Sequence, residues 1–346
     1  MAAETGLKTQ DAPAGDAFHT GMGRAGVRAL WERHLGNGRE PESEKPRQWR
    51  WAEIEPLLDQ AVAATSMDTA ERRVLSLHNP DFDHLKGSCV TTNLNAGFQI
   101  LMPGESARVH RHTANALRFV VEGGGGTTTV DGKPCAMSRG DLILTPGGSW
   151  HAHTHDGDAR IVWLDALDVP FVRYLDAQFF DPGPAGNFPP LPPDDAYLEG
   201  GIVPQTGPGE EMPAYSPLFR YGWDEVCAAL DRMRPAADGS RRLRYTNPAT
   251  GGPVMSLLDV YMLGLEGGRR TRAWRSTHNA FCVVAEGEGE SDIGGTTVKW
   301  RERDVFTLPH WNWIAHRAAA PGAKLFMVTD REILRRLDLL REEYED

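Results

Sequence analysis

Two textures of apolar and polar positions divide the chain. Between residues 25 and 64, apolar side chains fall at helical spacing: Val27, Leu30, Trp31 and Leu35, then Ile54, Leu57, Leu58 and Val62. This predicts two helices separated by a polar loop from Gly36 to Pro46. From about Arg73 the pattern changes to short apolar runs, at 98–102, 117–121, 142–144 and 161–164, cut by Gly, Pro, Asn and Asp. Such runs read as strands of an all-β sandwich or barrel. A second β-rich block spans 253–330, preceded by a helix at 223–233, and 333–344 has the period of an amphipathic closing helix. Residues 181–217 are rich in Pro and Gly, which marks a connection running over the surface. The predicted division is a disordered tail at 1–16, a helical segment at 17–72, a first barrel at 73–180, the connection at 181–217, a second barrel at 218–330, and a C-terminal helix at 331–346.

The two β-rich blocks repeat one another. Phe119-Val120-Val121-Glu122-Gly123 returns as Val283-Val284-Ala285-Glu286-Gly287 after Cys282, and Asp141 to Pro146 returns as Asp304 to Pro309. Trp150 and His153 return as Trp313 and His316. A duplicated barrel accounts for this economically.

The repeat isolates the chemistry. His110 and His112 flank Arg111, so on a strand both imidazoles share one face. His151 follows the turn Pro146-Gly147-Gly148-Ser149-Trp150 and can join them on the inner wall of a small barrel. In the second copy these three positions hold Trp274, Ser276 and Ile314. Structural histidines need not vanish together, so their joint loss favours a metal site in the first copy alone. Three neutral imidazoles suit a borderline divalent transition metal and leave further coordination positions open.

Composition narrows the setting. The 346 residues, 40% hydrophobic and 25% charged, are ordinary for a soluble globular protein. A net charge of -11 argues against nucleic acid and anionic membranes as partners. It does not exclude an anionic substrate, because a metal or a local Arg reverses the field within a pocket. Cys89, Cys135, Cys227 and Cys282 form no Cys-x-x-Cys pair and read as free thiols in a reducing compartment. With no apolar leader or membrane-length run, a cytoplasmic location is expected.

Gly104, separated by five residues from His110-x-His112, with Glu122-Gly123 closing that stretch, resembles the first cupin motif. Gly140, Pro146-x-Gly148 and His151 resemble the second. Ala116 stands where that motif usually carries a glutamate ligand, which leaves a three-histidine site. More specifically, the segments HRHTANALRFVVEG at 110–123, WLDALDVPFVRYLD at 163–176 and YTNPATGGPVM at 245–255 resemble the gentisate 1,2-dioxygenase family. This family of bicupin ring-cleaving enzymes includes salicylate and 1-hydroxy-2-naphthoate dioxygenases. The resemblance implies a mainly β, two-cupin fold with N-terminal helices and a C-terminal helix. It also implies Fe(II) on His110, His112 and His151, a small aromatic hydroxy acid and O2 as substrates, and a homotetramer.

Arg118 lies two residues beyond the missing glutamate and therefore also points inward, where its fork suits a carboxylate or a developing oxyanion. The alternative is a structural pair with a nearby acid. His153 shares the face of His151 and serves either the substrate, in proton transfer, or the scaffold, since His316 persists in the inert copy. Asp165 is expected to orient a histidine or Arg118, the alternative being a surface or turn carboxylate. By resemblance Arg73 contacts the substrate carboxylate, although from the residues alone it reads as an exposed arginine and Arg72 is an equally near candidate, and Asn95, Gly97 and Gln99 line the pocket. Asn95 replaces a residue that is often aromatic, which bears on the preferred ring substituent. His155 is expected to face solvent. The reading is gentisate opened between its carboxyl- and hydroxyl-bearing carbons to give maleylpyruvate. Alternatives are the same chemistry on salicylate or 1-hydroxy-2-naphthoate, or a non-catalytic cupin that binds small acids.

Overall fold

The computed structural model describes residues 16–32, 44–85, 87–188, 190–200, 202–204 and 213–345. Residues 1–41 form a unit apart from residues 42–346. In that unit a helix, Asp16–Ala25, ends at Gly26, where a φ of 68° and a bond from Val27 N–H to Met22 O close the last turn. The helix expected from Val27, Leu30, Trp31 and Leu35 is corrected as far as Glu32, and Leu35 lies outside the described residues. Leu30–Glu32 is a single 3-10 turn, with Trp31 stacked on Phe18. The expected tail up to residue 15 and the expected loop at 36–43 lie outside the described residues.

Residues 42–346 carry two barrels, each of two antiparallel sheets. In spatial order, the first barrel's larger sheet is Arg220–Tyr221, Leu142–Thr145, Ala116–Glu122, Ile161–Leu167, Asn95–Leu101 and Val74–Ser76. Its smaller sheet is Phe180–Pro182, Ser106–His112, His151–His155, Gly124–Val130 and Lys133–Ser138. The second barrel repeats both orders, with Ala280–Glu286 in the place of Ala116–Glu122 and Ile314–Ala318 in the place of His151–His155. The mainly β, two-barrel architecture expected from the repeat is what the chain forms. The larger sheets face each other: residues alternating outward put Phe119 against Phe326, their rings stacked 4.1 Å apart.

The predicted partition into successive segments is corrected in one respect. Gln48–Trp49, ahead of the first barrel, pairs with Val305–Leu308 of the second. Arg220–Tyr221, ahead of the second barrel, pairs with Leu142–Thr145 of the first. Each exchanged strand runs into a helix, Trp51–Ala64 or Trp223–Arg232. The leading N–H groups bond to equivalent aspartates, Trp51 N to Asp304 at 2.8 Å and Trp223 N to Asp141 at 3.0 Å. A carboxylate at a helix start satisfies an orphan donor and complements the helix dipole.

The closing helix is also shorter than expected. Arg331–Arg336 is helical, Asp338 turns the chain at a φ of 58°, and Glu342–Tyr344 is a strand. That strand pairs with Trp274–Ser276, and Arg275 and Arg331 hold Glu343 and Glu342. The open sheet edge offers backbone partners that override the helical period. Among the described residues no helix is long and apolar enough to cross a membrane.

Candidate metal centre

His110 and His112 lie on the inner face of Ser106–His112, and His151 opens the adjacent strand directly opposite His110. A register shift between Ala107 and His110 re-aims the end of the strand. Arg111, alternating outward, pairs with Asp181 at 2.8 Å and rests over the Trp150 ring. That contact fastens Phe180–Pro182 alongside, so that Phe180 stacks on His110 at 5.3 Å.

One nitrogen of each histidine lies within 4.8 Å of the others. Each Nδ1 meets a backbone carbonyl: Arg108 O at 3.0 Å, Ala114 O at 2.9 Å and Ser149 O at 3.0 Å. Carbonyls only accept, so the proton sits on Nδ1 and the Nε2 lone pairs face inward. Burial, reinforced by Arg72, pushes His110 down to about 3. Burial, with Arg118 adding to it, lowers His112 to about 4 and holds His151 well below the ordinary range. All three are therefore neutral at pH 7. The Nε2 of His151 is buried with no protein partner. Converging, tautomer-fixed, neutral imidazoles with an orphaned lone pair fit a divalent transition ion.

Asn115 locks the three together. Its N–H and Nδ2 donate to Asp168 at 2.8 and 2.7 Å, and its Oδ1 accepts from Gly147 N, in the turn before His151. The second barrel has the same latch in Asn279, Asp330 and His310 N. It is scaffold common to both copies. The recurrence of Asn-Ala at 115–116 and 279–280 was the overlooked sign of it.

A cavity of about 330 Å³ opens on the histidines. Of the residues expected there, Asn95, Gly97, Gln99, Arg118, His153 and Asp165 line it. Gly97 allows a close approach: a side chain would press on Val74, Leu75 and Ser76 of the neighbouring strand. Gln99 Nε2 is buried and unpartnered. Arg118, fully enclosed, lies 3.1 Å from Asp165 across paired strands and donates to Thr145 Oγ1. Asp165 also accepts from Trp163 Nε1 at 3.1 Å.

Two expectations are corrected. Arg73 turns away from the cavity to Thr65 O and Glu105, while Arg72 lines it, its Nη1 2.5 Å from His110 Nε2. The strand explains this: Arg72, Val74 and Ser76 share the cavity face, and Arg73 and Leu75 the other. His155, expected to face solvent, is buried and bonds Ala159 O through Nε2. Sharing the parity of His151 and His153 should have placed it inside.

His153 Nδ1 meets Thr128 Oγ1 at 2.9 Å, as His316 Nδ1 meets Ser291 Oγ at 2.7 Å in the other barrel. The pair therefore recurs where the three metal-ligand positions do not carry histidine. The reverse holds for Arg118 and Asp165. Across the matching strands of the second barrel stand Cys282 and Met327.

A family profile described as a cupin domain matches residues 97–167. The chain is 36% identical over 340 residues to a 5-aminosalicylate 1,2-dioxygenase of Comamonas sp, covering 95% of this chain and 90% of that one. It is 38% identical over 300 residues to a gentisate 1,2-dioxygenase of Ralstonia sp, covering 85% and 83%. Its structure matches that of salicylate 1,2-dioxygenase from Pseudoaminobacter salicylatoxidans, studied as adducts with gentisate, with a TM-score of 0.88 at 31% identity over 98% of this chain and 96% of the other. With a three-histidine pocket in one barrel and such relatives along nearly its whole length, the chain belongs to the gentisate 1,2-dioxygenase family of bicupin dioxygenases.

Proposed function

We propose that the protein is an Fe(II)-dependent dioxygenase that opens gentisate between its carboxyl- and hydroxyl-bearing carbons to maleylpyruvate, taking up both atoms of O2. The observation that carries this reading is the charge balance of the cavity. Three neutral imidazoles face it together with two arginines, Arg72 and Arg118, and Asp165 is engaged with Arg118. A divalent ion there keeps its charge, and the pocket suits a ligand with adjacent carboxylate and phenol oxygens. Bound by His110, His112 and His151, Fe(II) would supply the Lewis acidity that ionises the phenol and the electron route between ring and O2.

The side chains divide the remaining work. Arg72, half-buried at the cavity wall, is placed to clamp the carboxylate. Arg118, fixed by Asp165 and Thr145, presents its remaining N–H groups to negative charge developing on oxygen. Asp165 acts by positioning Arg118. Gln99 offers an unpaired amide N–H to a substrate oxygen. His153 is held neutral, chiefly by burial, and adds a polar wall. Ser76 and Asn95 make a further side of the cavity polar. That lining favours a ring with a second polar substituent, gentisate first and 5-aminosalicylate after it, over salicylate or a fused apolar ring. A cytoplasmic homotetramer completes the reading, supported by the exposed Tyr174, Leu175, Phe179 and Phe180.

Oxygen uptake by Fe(II)-loaded protein tests this with gentisate, 5-aminosalicylate, salicylate and 1-hydroxy-2-naphthoate in parallel. The fastest uptake is expected with gentisate. No uptake with any of them would leave the non-catalytic, acid-binding cupin as the better reading.

A further inference from the structure

The second barrel has a mouth at the position corresponding to the metal centre, and a cavity of about 780 Å³ opens there. Strand pairing relates the two places residue by residue. Trp274 pairs with Ile314 as His110 pairs with His151, Arg242 pairs with Leu263 as Val74 pairs with Gln99, and His316 lies opposite Ser291 as His153 lies opposite Thr128. Trp274, buried, closes off the place of the first ligand, and the cavity lies against it.

We propose that this cavity is a second ligand site, for a small organic dicarboxylate gripped by arginines instead of a metal ion. Five arginines line it, Arg234, Arg241, Arg242, Arg270 and Arg272, with Asp238 the one acidic residue among the lining. Asp238 already accepts from Ser240 N, Ser240 Oγ and Arg272 N, at 2.9, 2.7 and 2.9 Å. Among the described residues neither Arg234 nor Arg242 has a carboxylate partner, and Arg242 rests over the Trp274 and Tyr261 rings. Arg272 and Arg241 donate to the backbone carbonyls of Glu345 and Met233, and Arg241 and Arg270 pair with Glu266 and Asp292 at 3.7 and 3.4 Å. The acids of the neighbouring end strand are engaged elsewhere, Glu342 with Arg331 and Glu343 with Arg275.

Arg234, Arg242 and Arg272, without carboxylate partners among the described residues, leave an excess of positive charge beside the cavity in a chain of net charge -11, and like charges held together destabilise a fold unless an anion offsets them. A second observation points inward. His316 is 1% exposed and lines the cavity, and its Nε2 is buried without a partner. A buried polar atom left unmatched is costly, and a ligand oxygen at the cavity floor would remove that cost. Two arginine forks without partners suit two carboxylates, since each fork matches one carboxylate bidentately, and Leu263 and Trp274 provide apolar surface for the carbon skeleton.

Titration calorimetry of the metal-loaded protein with maleate, benzoate and inorganic phosphate tests the assignment. Maleate is expected to bind at least about tenfold more tightly than either of the others. Its affinity should fall at least about tenfold in Arg234→Gln/Arg242→Gln, fall less in Arg242→Lys, and persist in His110→Ala. Both arginines are exposed, so the variants should fold, which circular dichroism verifies. Maleate binding that survives the double arginine substitution, or disappears in His110→Ala, overturns the proposal. Phosphate or benzoate binding as tightly as maleate, or no heat with maleate at millimolar concentration, overturns it equally.

Discussion

Arg118 and Asp165 form an ion pair 3.1 Å apart inside the first barrel, and the strands of the second barrel hold Cys282 opposite Met327 at the same place. A buried pair of charges is seldom retained for stability, because desolvation offsets most of the attraction. Installing the second barrel's pair, Arg118→Cys/Asp165→Met, should therefore leave stability within roughly 2 kcal/mol of the parent. Asp165→Met alone strands a buried guanidinium and should cost about 3–5 kcal/mol. Both should lose oxygen uptake. Urea unfolding beside an oxygen electrode separates the two effects, and equal destabilisation by the single and double variants would contradict the argument.

His110→Ala removes one of the three nitrogens and should lower bound metal and oxygen uptake together to background. Ser276→Ala changes the matching position of the other barrel and should leave both nearly intact. Metal content by atomic absorption, read alongside uptake, checks this. Parallel losses in the two variants would mean that the inert copy has been misidentified.

Neighbouring arginines should behave oppositely. Arg72→Ala ought to raise KM for the aromatic acid by roughly 10- to 100-fold, consistent with loss of a charge-assisted clamp. Arg73→Ala breaks contacts with Glu105 and Thr65 O instead, so it should lower the melting temperature while leaving KM close to the parent value. Steady-state kinetics and thermal melts on both variants decide the matter.

Asp330 is pushed up to about 6 by burial, against an ordinary 3.8. The folded state therefore holds this proton more tightly than the unfolded chain. The resulting stability is present in full below about pH 4 and lost as pH rises through about 6, by on the order of 3 kcal/mol. Asp330→Asn should flatten that part of the profile. Urea midpoints from pH 4 to 8 for both proteins test it; an unchanged slope in the variant would assign the dependence to other groups.

Much of the site was legible because duplication supplied an internal control: losing His110, His112 and His151 together from the second copy singled them out. Strand parity also placed Arg118 inside. The same parity, applied to Arg72 and Arg73, had no anchor in sequence, because the short strand Val74–Ser76 takes its register from Gly97 and Gln99, far along the chain. The Asn115–Asp168 latch was hidden because residues shared by both copies look like scaffold. The C-terminal strand was missed for a different reason. Leu334, Leu337 and Leu339 suggest a helix locally, and only the open edge of Trp274–Ser276 decides otherwise.

The crossed strands ahead of each barrel have a consequence for biosynthesis. As the polypeptide leaves the ribosome, the first barrel is completed only when Arg220–Tyr221 has emerged, and Gln48–Trp49 must wait for Val305 and Phe306, made much later. Neither half is thus an autonomous module. Truncation between them would expose the bare flank of Leu142–Thr145 to other nascent chains, an invitation to aggregate rather than a route to a minimal enzyme.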